Sequence, residues 1–93
     1  MLRVWGKLYD EKRMCADLVA EDECEELPFE ERFENCCEQI LRSFDLPKPI
    51  WLPQNRRELE RFGRTDFRQE HFVEKFPYNI FELEIIETDE KED

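Results

Sequence analysis

Four cysteines and one histidine are the side chains of this chain with the widest chemical use. Cys15, Cys24, Cys36 and Cys37 lack the Cys-x-x-Cys spacing of zinc and thiol-exchange motifs. His71 is the only histidine, and general acid–base catalysis needs a second positioned group that the sequence does not identify. We therefore predict reduced structural cysteines, a partly buried structural histidine, and no catalytic residue, metal site or cofactor.

Acidic side chains dominate the composition. The net charge is −11, with nine carboxylates in residues 21–38 and seven in residues 79–93. Such charge disfavours binding to a nucleic-acid backbone or an anionic membrane surface and favours a positively charged partner. Carboxylate pairs are too frequent here to indicate catalysis, because catalytic pairs are defined by contrasting environments. We interpret the acidic cluster at residues 21–26 as a solvated connector.

Five arginines within residues 56–68 are unusual in so acidic a chain. A guanidinium pairs well with a carboxylate or a phosphate, but no Gly-rich phosphate loop accompanies the run NRRELERFGRTDFR. Intramolecular pairing along a helix is one interpretation, although exposed pairs contribute only about 0.2–1 kcal/mol each. Because five arginines exceed what stability requires, the second interpretation is a protein-binding face, formed by Trp51, Arg56, Arg57, Arg61 and Arg64.

The first half of the chain has clear periodicity. Apolar and charged residues alternate over residues 2–9 and again over 14–21, which predicts two strands. The polar residues 10–13 between them predict a β-hairpin. Apolar residues then recur at helical spacing over 29–44, which predicts a helix that has Pro28 at its first position and ends before Leu46.

The second half predicts further helices and a last strand. Prolines bracket residues 50–53, which predicts an extended spacer. Asn55 and Glu58 resemble a capping box, so we expect a short helix from Asn55 to Phe62 that ends at Gly63.

Thr65 predicts the cap of a third helix that carries Phe67, His71, Phe72 and Phe76. Alternation after residue 78 predicts a strand that contains Phe81, Leu83 and Ile85. Residues 88–93 are expected to fray.

These elements predict one α+β domain over residues 1–93. It is a two-layer sandwich in which an N-terminal hairpin and the C-terminal strand form a three-stranded sheet. Two or three helices cover one face, in the order ββα(α)αβ, and the last strand lies beside the first. We expect the other face to display mixed aromatic and charged residues: Arg3, Trp5, Lys7, Tyr9, Glu82 and Glu84.

The N-terminal residues also bear on location. Charges interrupt the first ten residues, which is not typical of a secretory signal, and no apolar run has the length of a membrane span. We therefore expect a cytoplasmic protein with no membrane partner.

Five short segments together resemble a set of small uncharacterised proteins from anaerobic spore-forming bacteria. They are LRVWGKLY, PFEERFE, PIWLP, FGRTDF and FELEIIE, which span nearly the whole chain. The resemblance implies no activity, cofactor or partner.

Three functional hypotheses follow from the sequence. The first is a non-enzymatic interaction module that contacts another protein, or a second copy of itself, through the arginine and aromatic face or through the open sheet face with Trp5 and Tyr9. The second is an acidic decoy that occupies the nucleic-acid groove of a basic protein. The third is a small metal- or thiol-dependent enzyme built on His71 and the cysteines.

Overall fold

A four-stranded antiparallel sheet covered on one face by two helices is the framework of the protein. The computed structural model describes residues 1–88, and the strand order in the sheet is β2-β1-β4-β3. The elements in chain order are β1 (Leu2–Asp10), β2 (Arg13–Asp22), α1 (Phe29–Phe44), α2 (Pro53–Phe62), β3 (Arg64–Phe67), a 3-10 turn (Gln69–His71) and β4 (Ile80–Glu87). The predicted α+β class is confirmed, whereas the predicted three-stranded sheet is wrong.

The hairpin of β1 and β2 is tighter than its sequence predicts. Its loop is the pair Glu11 and Lys12, which both have positive φ angles of 54° and 70°. Two-residue hairpin loops require this conformation, which side-chain-bearing residues otherwise avoid. The Glu11 N–H donates to Asn79 Oδ1, and Asn79 N–H donates to the Tyr9 carbonyl at 2.9 Å. The segment before β4 therefore supports the turn.

The fourth strand replaces the third helix that the sequence predicts. Thr65 pairs with Leu83, and Phe67 with Phe81, along antiparallel β3 and β4. Thr65 and Phe67 are both buried and alternate with more exposed neighbours, which is a period of two and belongs to a strand. Of the predicted helix, only the 3-10 turn forms. The predicted contact between the first and last strands is confirmed, since β1 pairs with β4.

Helix α1 packs closely on the sheet and ends before Leu46 as predicted. Pro28 is its cap residue rather than its first helical residue, and Asp45 ends it in a left-handed conformation. Ile40, which is fully buried, lies directly over Gly6 of β1. A Cβ atom at position 6 would overlap Ile40 Cγ2 and lie 3.2 Å from Ile40 Cδ1. The absence of a side chain at Gly6 thus permits the close approach of α1.

An ion pair fixes the start of α1 to the end of β2. Arg32 is buried and donates from its guanidinium to the Asp22 carbonyl at 2.7 Å, and its Nε lies 3.3 Å from Asp22 Oδ1. The backbone N–H of Cys24 also donates to this carboxylate and, together with Arg32, lowers the pKa of Asp22. Asp22, which lies in the predicted solvated connector of residues 21–26, therefore has structural partners.

No helix within residues 1–88 combines the length and apolarity needed to cross a membrane. The predicted frayed tail at 88–93 lies, apart from Thr88, outside the residues that the structure describes.

Replacing Gly6 tests the close packing of α1 on β1. We expect Gly6→Ala to lower the free energy of unfolding by about 1–3 kcal/mol, because overpacking a filled core costs about that much. The loss should shrink in an Ile40→Ala background, where the added methyl group has room. Urea unfolding of the four proteins in a double-mutant cycle measures this coupling. An equal loss in both backgrounds would contradict the contact.

Candidate functional site

A groove of about 450 Å³ lies between α1 and α2. Its apolar lining combines residues of both helices and of the segment that joins them: Phe29, Phe33, Cys37, Leu41, Pro49, Trp51 and Leu59. Its charged lining has α1 glutamates on one side and mixed charges on the other: Glu30, Glu34, Glu38, Lys48, Arg56 and Glu60. We refer to these thirteen residues as the groove.

The apolar stripe of α1 extends from the side that faces the sheet onto the flank that borders the groove. Cys36 and Ile40 have no exposed surface and face the sheet, whereas Phe33 and Cys37 retain 8% and 9% exposure. Phe29, one turn before Phe33, is 37% exposed. The flank of α1 that carries these residues faces the groove, so part of the apolar stripe remains accessible to a partner.

Trp51 forms the connection between the groove and the core. Its ring meets Phe33 edge-on at a centroid distance of 5.9 Å and meets Phe67 of β3 edge-on at 5.0 Å. Phe67 in turn packs against Phe81 at 5.9 Å. The predicted binding residue Trp51 therefore lines the groove but is half-buried, and the core holds its orientation.

Asn55 fixes α2 against β3 and thereby positions one wall of the groove. Its Nδ2 donates to Thr65 Oγ1 at 2.8 Å and to the Asp66 carbonyl at 3.0 Å, and its Oδ1 accepts from the Leu52 N–H at 2.9 Å. Only 1% of Asn55 is exposed. Thr65 Oγ1 donates onward to Glu58, which lowers the pKa of that carboxyl group.

The predicted capping role of Asn55 needs correction. Helix α2 begins at Pro53, and Leu52 is its cap residue. Asn55 is the third helical residue, and its side chain reaches back to the backbone of the cap residue. Proline fits the first helical position because its missing N–H would have no partner there. The predicted end at Gly63 is confirmed, with φ of 73°.

The α1 wall of the groove carries three glutamates one turn apart. Glu30, Glu34 and Glu38 are all exposed, and Glu38 lies 3.7 Å from Lys48 Nζ. Like charges four residues apart on a helix destabilise it by about 0.2–0.5 kcal/mol per pair. The fold therefore bears repulsion along this wall.

The predicted arginine face is divided among three places. Arg56 lines the groove, whereas Arg57 and Arg61 are exposed on α2 outside the groove lining. Arg64 opens β3 beside Glu84, on the sheet face opposite the helices, because its neighbour Thr65 points into the core. Strand alternation thus separates Arg64 from the others.

None of these four arginines forms an ion pair within residues 1–88. Arg57 and Arg64 interact electrostatically with Glu58 and Asp66 at longer range. The four arginines are exposed, so another molecule can reach them.

The opposite sheet face is internally paired. Lys7 Nζ lies 2.8 Å from Glu84 and 3.6 Å from Glu82, and it sits 3.9 Å from the centre of the Trp5 ring. Trp5 Nε1 donates to Asp17 at 2.9 Å. This arrangement confirms the predicted mixture of aromatic and charged residues on this face, and it leaves these charges with partners.

A second cavity of about 460 Å³ lies at the hairpin end of that face, against Tyr9, Asp66 and Glu82. Burial raises the pKa of Asp66. Lys12 lines the same cavity and supplies a cation of the chain itself. The groove between the helices has seven apolar lining residues, whereas this cavity has only Tyr9 and Ile80. The groove is therefore the better candidate for binding.

His71 and two of the four cysteines are buried, as predicted for structural residues. Cys36 and Cys37 are buried in α1, and burial raises the pKa of Cys36 to about 11, which disfavours the reactive thiolate. His71 is buried, and its Nδ1 accepts from the Arg68 N–H at 3.0 Å. Cys15 and Cys24 are exposed rather than packed as small apolar residues.

Within residues 1–88, no three His, Cys, Asp or Glu side chains lie close enough together to hold a metal ion.

Comparisons of the chain with protein-family models, with curated proteins and with solved structures found no match. The resemblance to small bacterial proteins stays a prediction. The groove is therefore the feature of the molecule that bears on its function.

Two features of the groove escaped the sequence interpretation, although one left a visible signal. The repeat of Glu30, Glu34 and Glu38 at steps of four is readable in the sequence and indicates a charged stripe on one helix flank. The position of α2 across from it depends on the contact of Asn55 with β3, a strand that the sequence did not reveal.

Removing the Asn55 amide tests the positioning of α2. We expect Asn55→Ala to lower the free energy of unfolding by about 2–4 kcal/mol, since it removes three hydrogen bonds that are worth about 1 kcal/mol each and leaves buried groups without partners. The neighbouring exposed variant Gln54→Ala, which loses one hydrogen bond to Glu58, should change stability by about 0.5 kcal/mol or less. Urea unfolding measures both, and similar losses for the two variants would show that Asn55 has no special role.

Proposed function

We propose that the protein is a non-enzymatic protein–protein interaction module whose contact centre is the groove. The observation that carries the proposal is an accessible apolar lining bordered by Arg56, a guanidinium that has no ion pair in residues 1–88. The occupant is a segment of another protein that inserts apolar side chains between α1 and α2. Tryptophan and arginine are the residue types that most often dominate binding energy at such interfaces.

The rigidity of the lining supports this assignment. Phe33 and Trp51 are held by ring contacts that continue into the core through Phe67. A preformed lining loses little conformational entropy when a partner binds. Phe29, which stacks on Phe33 at 5.9 Å, offers an exposed aromatic surface at one end of the groove.

The other predicted binding residues have peripheral roles in this proposal. Arg57 and Arg61 lie on α2 beside the groove and meet carboxylates at the border of the interface. Arg64 provides a separate contact on the opposite face of the sheet. Rim charges of this kind change the association rate and salt dependence more than the affinity.

The two alternative hypotheses have weaker support. The decoy hypothesis needs free carboxylates in both acidic regions, but Glu82, Glu84 and Glu87 of the second region take part in ion pairs with Arg3 or Lys7. The carboxylates of the first region fit either hypothesis. An enzyme needs a reactive group, but burial raises the thiol pKa of Cys36 and Cys37 and makes both poor nucleophiles.

The two faces of α2 provide a matched test of the proposal. Protein from a lysate of the source cells is captured on the wild-type chain, identified by mass and then titrated against purified variants. We expect Arg56→Gln to weaken its binding by at least about tenfold, as truncation at an interface centre does. The double variant Arg57→Gln/Arg61→Gln should weaken binding by about threefold or less at moderate salt.

The control for folding is the unfolding midpoint in urea, which should be unchanged because all three arginines are exposed. A partner that tolerates Arg56→Gln but is lost with Arg57→Gln/Arg61→Gln would place the contact on the outer face of α2 and refute the groove as its centre.

A further inference from the structure

We infer that the groove receives an amphipathic helix of a partner protein, with lysines or arginines along the flank that faces α1. The inference rests on the proposed function and names the occupant of the same site. It has two independent parts, the backbone conformation of the occupant and the sign of its charge.

The walls of the groove determine the backbone conformation. Two of them are side chains of α1 and α2, whose interior N–H and C=O groups are already bonded within each helix, and the segment that joins the helices contributes the side chains of Lys48, Pro49 and Trp51. An extended peptide would find no strand edge in the groove and would lose water from its own backbone groups without replacement. A helix satisfies its backbone internally and presents only side chains.

The length of the apolar lining also suits a helix. On α1 it extends from Phe29 to Leu41, which is about 18 Å along the helix axis. A partner helix of about three turns matches this length and would place apolar residues at positions i, i+4 and i+7.

The α1 wall determines the charge of the facing flank. Glu30, Glu34 and Glu38 repeat at the spacing of one helical turn, so a parallel or antiparallel helix can set one cation against each of them. Glu30 and Glu34 have no ion pair within residues 1–88. The repulsion along this wall is relieved when a basic partner binds.

Lys48 already provides an example of the proposed contact. Its ammonium group lies 3.7 Å from Glu38 Oε2 at one end of the groove. The lysines of a partner helix would repeat this pairing along the remaining two glutamates. A second copy of this chain fits less well, because the exposed side of its own α1 carries glutamates that would face the same wall.

Three synthetic helical peptides test the inference. All share one apolar stripe, and one flank carries lysine, glutamine or glutamate in the respective peptides. Titrations into isotope-labelled protein are followed by NMR, with the Trp51 indole N–H as the reporter within the groove and the Trp5 indole N–H as the reporter on the opposite sheet face. We expect the lysine peptide to shift Trp51 and to bind about tenfold more tightly than the glutamate peptide.

Two variants separate the local wall from the overall charge. The triple variant Glu30→Gln/Glu34→Gln/Glu38→Gln should abolish the preference for lysine while still binding the glutamine peptide. The matched variant Glu23→Gln/Glu25→Gln/Glu26→Gln removes the same charge from exposed positions outside the groove and should retain the preference. A lysine peptide with serines in place of its apolar stripe should not shift Trp51.

The outcomes that overturn the inference differ from those that overturn the proposed function. Equal binding of the lysine and glutamate peptides in the groove, or equal effects of the two triple variants, would refute the basic flank but leave the groove as a binding site. Concentration-dependent shifts of Trp51 without peptide would assign the groove to a second copy. If no peptide shifts Trp51 while Arg56→Gln still weakens the captured partner, the occupant is not this class of helix. If Arg56→Gln also has no effect, the proposed function fails.

Discussion

The buried side chain of Asn55 holds helix α2 against strand β3. It donates to Thr65 Oγ1 and to the Asp66 carbonyl of β3, and it accepts from the N–H of Leu52, the cap residue of α2. A buried amide of this kind must keep all its partners, since any lost bond leaves a polar group without water. The direction of α2, the position of Arg56 and the width of the groove all follow from this constraint.

Helix α1 serves both the core and the surface. Its contact with the sheet is set by Gly6, which lets Ile40 approach the strand, and by the Arg32–Asp22 pair at the end of β2. With that side fixed, the next apolar flank has no sheet to cover it and borders the groove. The charges of the two faces also differ. On the open sheet face, Lys7 is paired with Glu82 and Glu84, whereas Arg56 in the groove has no ion pair within residues 1–88. Unpaired charge beside accessible apolar surface is the combination expected of a binding site.

The sequence predicted the elements whose periodicity is continuous. The hairpin strands and α1 alternate or repeat over eight or more residues and β4 alternates over residues 81–85, and the structure has all of these elements. Strand β3 is only four residues long. Thr65 also suits the cap of a helix that would carry Phe67 and Phe72, and so short a pattern does not distinguish a strand from a helix. The groove depends on contacts between residues far apart in sequence, so the sequence could propose Trp51 and Arg56 as binding residues but could not separate them from Arg64.

The central claim is that the groove between α1 and α2 is where a partner binds, and photo-crosslinking inside the source cells tests it most directly. A photoreactive amino acid is placed at Glu34 on the groove wall, or at the exposed Val19 on edge strand β2. The account predicts a crosslinked species of defined mass from position 34 and none from position 19. A partner crosslinked from position 19, with position 34 silent, would contradict it.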